Sequence, residues 1–143
     1  MRNLLFFFVS VLCVACGIKN DSENKEAAKS ALMDEVMKMH DDAMIPWGEI
    51  HGLNKQVETK IKELDSLQVS TEDSQKYHKI SQSLEEADAA MMGWMRQFNT
   101  YDLQDMAADS AIMILQQEKA SIEQVYNQVY SSVDSAKALL KQE

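Results

Sequence analysis

Residues 77–98 read Tyr-His-Lys-Ile-Ser-Gln-Ser-Leu-Glu-Glu-Ala-Asp-Ala-Ala-Met-Met-Gly-Trp-Met-Arg-Gln-Phe. The apolar residues of this stretch follow one another at alternating steps of three and four, the heptad spacing of helices that pack as coiled coils. A cluster of N-cap formers, Ser70-Thr71-Glu72-Asp73, stands before it and indicates where a helix would begin. We therefore predict one long amphipathic helix, whose core-facing stripe is made of Tyr77, Ile80, Leu84, Ala87, Met91, Trp94 and Phe98.

The blocks before and after this helix carry apolar residues at the same helical spacing. The first stripe keeps its phase across Pro46, so we expect the proline to kink a helix rather than break it. The third stripe includes one charged residue, Lys119, whose long stem can carry its amine out of an apolar position. The first stripe comprises Leu32, Val36, Met39, Ala43, Trp47, Ile50, Leu53, Val57, Ile61, Leu64 and Leu67, and the third comprises Ile112, Leu115, Lys119, Ile122, Tyr126, Val129, Val133, Ala136 and Leu140.

Short links, at about Val69–Asp73 and Asn99–Asp105, join the three blocks. Links of this length make consecutive helices run antiparallel, and helices with one apolar stripe each must bring those stripes together. We therefore predict an all-α fold, an elongated antiparallel three-helix bundle with coiled-coil-like packing over residues 30–143. A single extended coiled coil with partner chains is the alternative, which the short links disfavour.

The first residues have the composition of a bacterial export signal. Arg2 is followed by the nearly wholly apolar run Leu4–Val14, which is too short to span a membrane. The order Leu12-Cys13-Val14-Ala15-Cys16 resembles the lipobox of bacterial lipoproteins, with Cys13 where leucine is usual. The resemblance implies a cleaved signal peptide at 1–15 and a diacylglycerol thioether on Cys16. An ordinary signal peptide cut near Cys16 is the alternative.

Lipidation would define both the anchor and the thiol chemistry of the mature chain. Two or three acyl chains anchor a protein stably, since each buried CH₂ contributes about 0.8 kcal/mol. Cys13 would leave with the signal peptide, so no disulfide could form within the mature chain. Residues 16–29 comprise the lipidated cysteine and a polar stretch without apolar period, which predicts a flexible tether. Loss of Arg2 changes the formal net charge from −9 to −10, which argues against nucleic acid as a partner.

Methionine is frequent, with ten residues in the chain, and antiparallel pairing would gather most of them near both tryptophans at one end of the bundle. The ordinary role of such methionines is to fill gaps around aromatic rings. The alternative is a soft-metal site, because thioether and imidazole ligands suit Cu(I). Met37, His40 and Met44 share one helix face, and Met95 is expected across from them. Beyond that alternative, no cofactor is predicted.

The sequence contains no recognisable catalytic constellation. It has no Ser/His/Asp order, cysteine nucleophile, glycine-rich phosphate loop or zinc-ligand spacing. Paired acids such as Asp41-Asp42 and Glu85-Glu86 are adjacent in sequence and therefore do not face each other on a helix. We therefore predict that the protein is not an enzyme.

Two stretches carry a resemblance to a known family. They are Val36-Met37-Lys38-Met39-His40-Asp41-Asp42-Ala43-Met44, with Pro46 soon after, and Ala87-Asp88-Ala89-Ala90-Met91-Met92-Gly93-Trp94-Met95-Arg96-Gln97-Phe98. With the lipobox, they resemble a family of small Bacteroidetes lipoproteins often labelled viral A-type inclusion protein-like. The resemblance implies a bacterial source, an outer-membrane address and an uncharacterised helical domain, with no activity to transfer.

These observations together predict a lipid-anchored envelope protein, most simply in the outer membrane, with either face of that membrane possible. It would contact the membrane through the lipid on Cys16 and act by helix-mediated contact with a protein partner or with itself. Copper binding or delivery through Met37, His40, Met44 and Met95 is the alternative function.

Overall fold

The structure is a computed structural model that describes residues 17–67 and 71–141, where all secondary structure is helical. The predicted signal peptide, Cys16 and the first two residues of the first predicted link, 69 and 70, lie outside the described residues. Five helices are present in the described ranges, which confirms the all-α prediction. They are α1 (Gly17–Trp47), α2 (Ile50–Ser66), α3 (Thr71–Gln97), α4 (Thr100–Gln104) and α5 (Ala108–Leu140).

Polar pairs between the helices establish the order of the bundle. From α1 to the turn that follows it, residues later in the sequence meet partners that are later in α5, so α1 and α5 run parallel. Between α2 and α3 the numbers move in opposite directions, so that pair is antiparallel. The pairs are Lys25–Asp109, Glu35–Lys119 and Glu49–Lys137 for the first case, and Asn54–Ser81 and Asp65–Ser74 for the second. The up-down-up order predicted from the sequence is therefore confirmed.

The core follows the predicted stripes. In α3, five of the seven stripe residues are buried, and Ile80 and Phe98 pack against them. In α5 the buried set is wider than predicted, because Ala111, Val125 and Ser132 are also buried. The fully buried larger side chains are Val36, Ile50, Val57, Leu84, Met91, Leu115, Ile122, Val129 and Val133.

The bundle has three arms: α1 together with α2, then α3, and then α5. These arms are staggered along the bundle axis, so the core narrows at both ends. α3 ends at Gln97. The stacked rings of His40 and Trp94 show that this end lies close to the level of His40 on α1. At the other end, the last fully buried residue of α2 is Val57, and Leu67 is 69% exposed. Three arms therefore share a core only in the middle of the bundle.

The first predicted helix is divided in two, which corrects the expectation of a kink. α1 ends at Trp47 and α2 begins at Ile50. Pro46 has no N–H, so the carbonyl of Asp42, one turn earlier, loses its helical partner. The hydroxyl of Tyr130 on α5 donates to that carbonyl at 3.4 Å. A side chain from another helix thus supplies the hydrogen bond that the proline removes.

The predicted flexible tether is also corrected, because residues 17–29 belong to α1. Their sequence is rich in Glu, Lys and Ala, which favour helix even without an apolar stripe. The amine of Lys25 bonds to Asp109 at 2.9 Å, and the amine of Lys29 donates to the carbonyls of Gln104 and Met106 at 3.1 and 3.0 Å. These polar contacts hold the segment against the start of α5. The spacing of apolar residues does not predict them.

The link predicted at Asn99–Asp105 contains the short helix α4. Asn99 is its N-cap, and the side-chain oxygen of Asn99 accepts a hydrogen bond from the backbone N–H of Tyr101 at 3.1 Å. The amide nitrogen of Asn99 donates to Asp102 at 2.8 Å. Leu103 is buried, so this single turn adds one side chain to the core.

We expect Asn99→Ala to lower the free energy of unfolding by about 0.5–2 kcal/mol, the usual cost of losing an N-cap. Urea denaturation followed by circular dichroism measures this. Asn99→Ser keeps a cap acceptor without placing a second carboxylate beside Asp102, and serves as the control, with an unfolding curve closer to that of the original chain. Equal destabilisation by both substitutions would show that the cap does not hold α4.

Candidate functional site

The predicted soft-metal residues of α1 lie on the face that meets α3 and α4. The imidazole of His40 stacks on the indole of Trp94, with ring centroids 5.4 Å apart and an interplanar angle of 28°. Trp94 in turn stacks on Phe98 at 4.7 Å. Met37 and Met44, three residues before and four after His40, share its helix face and are half-buried.

Met95, the fourth predicted residue, lies on the side of α3 that faces the α1–α2 arm. Residues seven apart share a helix face, and Ser81, Asp88 and Met95 are spaced in this way. Ser81 donates to the side chain of Asn54 at 2.8 Å, and Asp88 lies 3.9 Å from His51. Met95 is therefore turned toward the arm that carries His40, and it packs against the core. The structure thus brings the predicted residues to one region of the bundle.

The contact with Asp41 indicates which tautomer a neutral His40 adopts. Nδ1 of His40 lies 2.9 Å from a carboxylate oxygen of Asp41. An ionised carboxylate can only accept a hydrogen bond, so the proton of the neutral imidazole belongs on Nδ1. Nε2 then keeps a free lone pair. The side chain of His40 is 16% exposed, so this nitrogen is largely shielded from water.

Two tryptophans near this region have buried indole nitrogens. Among the described residues, the buried side-chain polar atoms without a hydrogen-bond partner are Nε1 of Trp47, Nε1 of Trp94 and Oδ1 of Asp88. Unpaired buried polar atoms cost free energy, commonly 1–3 kcal/mol each, and native structures contain few of them. The indole N–H of Trp94, in the histidine–tryptophan stack, is therefore a buried donor without a hydrogen-bond partner.

A groove opens beside this region, between α1 and α4, with a volume of about 430 Å³. We call it the Met33–Leu103 groove, after two of its three apolar lining residues. The third is Met37, and the polar lining residues are Glu26, Lys29, Ser30, Thr100 and Gln104. Tyr101, on the same short helix, is 79% exposed. This groove is not predicted from the sequence, because residues 99–105, which include the wall formed by α4, are interpreted there as a link. The Asn99–Asp102 cap was the signal that could have revealed it.

A second cavity, of about 360 Å³, lies between α1 and α5 and is lined by charged residues. Lys38 bonds to Asp42 at 2.6 Å, and Lys119 bonds to Glu35. Hydrogen bonds donated to these carboxylates raise the pKa of both lysines above the usual range. Both amines are therefore already paired with carboxylates.

Two properties of the described residues limit the kinds of site. Within 17–67 and 71–141, no cluster of three or more His, Cys, Asp or Glu side chains is arranged to hold a metal ion. Thioether ligands lie outside that donor set. In the same residues, no helix combines the length and apolar character needed to cross a membrane.

Comparison with protein-family models, curated proteins and solved structures found no match to this chain. The resemblance to small Bacteroidetes lipoproteins therefore stays a prediction based on the lipobox and the two stretches quoted above.

Proposed function

We propose that this chain is a lipid-anchored protein of the bacterial outer membrane whose helical bundle is a non-enzymatic module that binds a protein partner. The lipobox at Leu12–Cys16 and the family resemblance support the address. The observation that carries the interaction is the Met33–Leu103 groove, an open groove with an apolar patch of Met33, Met37 and Leu103 and a polar rim, in the N-terminal part of α1.

The stagger of the helices explains why this surface is open. Because α3 ends at Gln97, the part of α1 before His40 packs beside α5 with only the single turn of α4 in place of a third long helix. Grooves between helices commonly accept the apolar face of an amphipathic helix. Methionine side chains suit this role because they adapt their shape to different partners. Tyr101 adds an exposed aromatic ring of the kind enriched at binding hot spots.

The position of the groove relative to the anchor defines where a partner would bind. Met33 lies 16 residues after Gly17 in a single helix, which corresponds to about 24 Å at 1.5 Å per residue. Cys16 directly precedes that helix. A partner in the groove would therefore lie within a few nanometres of the lipid, at the membrane-proximal end of the bundle.

Site-specific photocrosslinking in the native envelope tests the proposal. A photoreactive amino acid at Tyr101 is expected to capture one discrete protein, while the same group at His78, exposed on α3 near the opposite end, is expected not to capture it. Met33→Asp, which replaces an apolar side chain of the groove by a charged one, should reduce the Tyr101 adduct by about tenfold or more, because a bound partner would have to remove water from the carboxylate.

Equal capture from both positions, or capture at Tyr101 that Met33→Asp leaves unchanged, would contradict binding in the groove. A dimer of this chain as the captured product would identify the partner as a second copy.

A further inference from the structure

We propose that His40, Met37, Met44 and Met95 form a binding site for a cuprous ion, a function additional to the binding of a protein partner; Met37 also lines the Met33–Leu103 groove, so the two sites adjoin. The set combines one imidazole nitrogen with thioether sulfurs. Thioethers are soft ligands that select Cu(I) over the harder divalent ions, and imidazole also binds copper. The chemical class of the ligand is therefore a soft monovalent cation.

The backbone brings these donors together from two helices. Met37 and Met44 are each within one helical turn of His40 on the same face of α1. The His40–Trp94 stack shows that this face meets the end of α3. Met95 directly follows Trp94 and lies on the side of α3 that is turned to the same arm. Two turns of α1 and one residue of α3 thus supply the whole donor set.

The contact between Asp41 and His40 is the second, independent observation. A histidine that ligates a metal almost always donates its other ring N–H to a carboxylate, a carbonyl or water, which fixes the ring and its tautomer. His40 has this arrangement before any metal is considered, with Nδ1 held by Asp41 at 2.9 Å and Nε2 left as a lone-pair donor. The side chain of Asp41 is 71% exposed, so its carboxylate faces solvent and is not packed against another helix.

Burial also distinguishes this histidine from the other two. The side chain of His40 is mostly buried, and the three methionines are half-buried, so an ion would be shielded from water and still have a path to the site. His51 and His78 are exposed, and neither has a methionine three or four residues away. They provide matched controls within the same chain.

The test is a Cu(I) titration of the full chain in detergent, without oxygen and with a chromophoric Cu(I) chelator as competitor. Cys13→Ser and Cys16→Ser are present in every variant, so that no thiol competes for the ion. We expect one Cu(I) per chain and quenching of tryptophan fluorescence, since His40 stacks on Trp94. Trp94→Phe should remove most of this quenching, while Trp47→Phe should retain it.

The variants separate ligation from packing. His40→Ala should weaken Cu(I) binding by more than about 100-fold, and Asp41→Asn by about 10–100-fold, the usual effect of losing a partner of a metal-bound histidine. Met44→Leu and Met95→Leu nearly conserve volume and should keep the fold while weakening binding. His51→Ala should leave the affinity unchanged. No stoichiometric binding at micromolar Cu(I), or affinity that His40→Ala leaves intact, would overturn the proposal, as would equally tight binding of Zn(II).

Discussion

Replacing Cys16 with serine is expected to remove the lipid and release the protein from the membrane fraction. A thioether to diacylglycerol requires the sulfur of a cysteine, and a serine hydroxyl cannot form that bond. The lipid would be the membrane contact of this protein, and acyl chains contribute about 0.8 kcal/mol per buried CH₂. Labelling with radioactive palmitate and fractionation of cells measure both effects.

Cys13→Ser is the matched control, because it changes the other cysteine of the same apolar run. It should leave labelling and membrane association unchanged. Label retained in Cys16→Ser and lost in Cys13→Ser would move the anchor to Cys13. Absence of label in the unsubstituted chain would contradict the lipoprotein proposal altogether.

Leu84→Ala is expected to lower the free energy of unfolding by about 2–5 kcal/mol, the range measured for leucine truncations in protein cores. Leu84 is fully buried in the middle of α3. Its neighbour Ser81 bonds to Asn54 of α2, and Ile80 lies beside Ser135 of α5, so all three arms meet at this level. A cavity there cannot be filled by movement of one helix alone.

Leu67→Ala is the control, since it removes the same atoms from a side chain that is 69% exposed at the end of α2. It should change stability by less than about 0.5 kcal/mol. Urea denaturation of both variants gives the comparison. Similar losses for Leu84 and Leu67 would mean that the central overlap is not the stabilising core of the bundle.

The parts of the fold that follow from hydrophobic period could be predicted from the sequence. The stripe from Tyr77 to Phe98 places its residues in the core because a repeat of 3.5 residues keeps one helix face toward its partners. The direction of each arm followed from the short links. These features depend on local sequence, so no knowledge of distant residues was needed.

The parts of the fold that depend on partners distant in the sequence could not be predicted. Residues 17–29 form helix against α4 and the start of α5 through Lys29 and Lys25, whose partners lie 75–84 residues later in the chain. The carbonyl of Asp42, which loses its helical partner at Pro46, accepts a hydrogen bond from the hydroxyl of Tyr130 on another helix. The expected tether was wrong because its partners are distant in the sequence. In place of the expected kink there is a turn at Gly48 and Glu49, where the N–H of Glu49 bonds to the carbonyl of Pro46 at 3.0 Å.

The candidate sites divide in the same way. Helical spacing alone placed Met37, His40 and Met44 on one face, and antiparallel pairing placed that face near the end of α3. The contact of His40 with Trp94 and the groove beside Leu103 required knowledge of where α3 ends and how α4 packs. Register between arms is set by side-chain packing over the whole bundle, which no single helix encodes.

For this protein, the sequence by itself determined the helical class, the core-facing stripes and the expectation of a lipid on Cys16, because these are written in local composition and period. Only the tertiary structure decided that α1 extends to Gly17, that the arms are staggered, and that the stagger opens the Met33–Leu103 groove beside the histidine–tryptophan stack. The physical reason is that an apolar stripe specifies which face is buried and leaves open how far each helix slides along its partners; that distance is set by contacts between residues far apart in the chain.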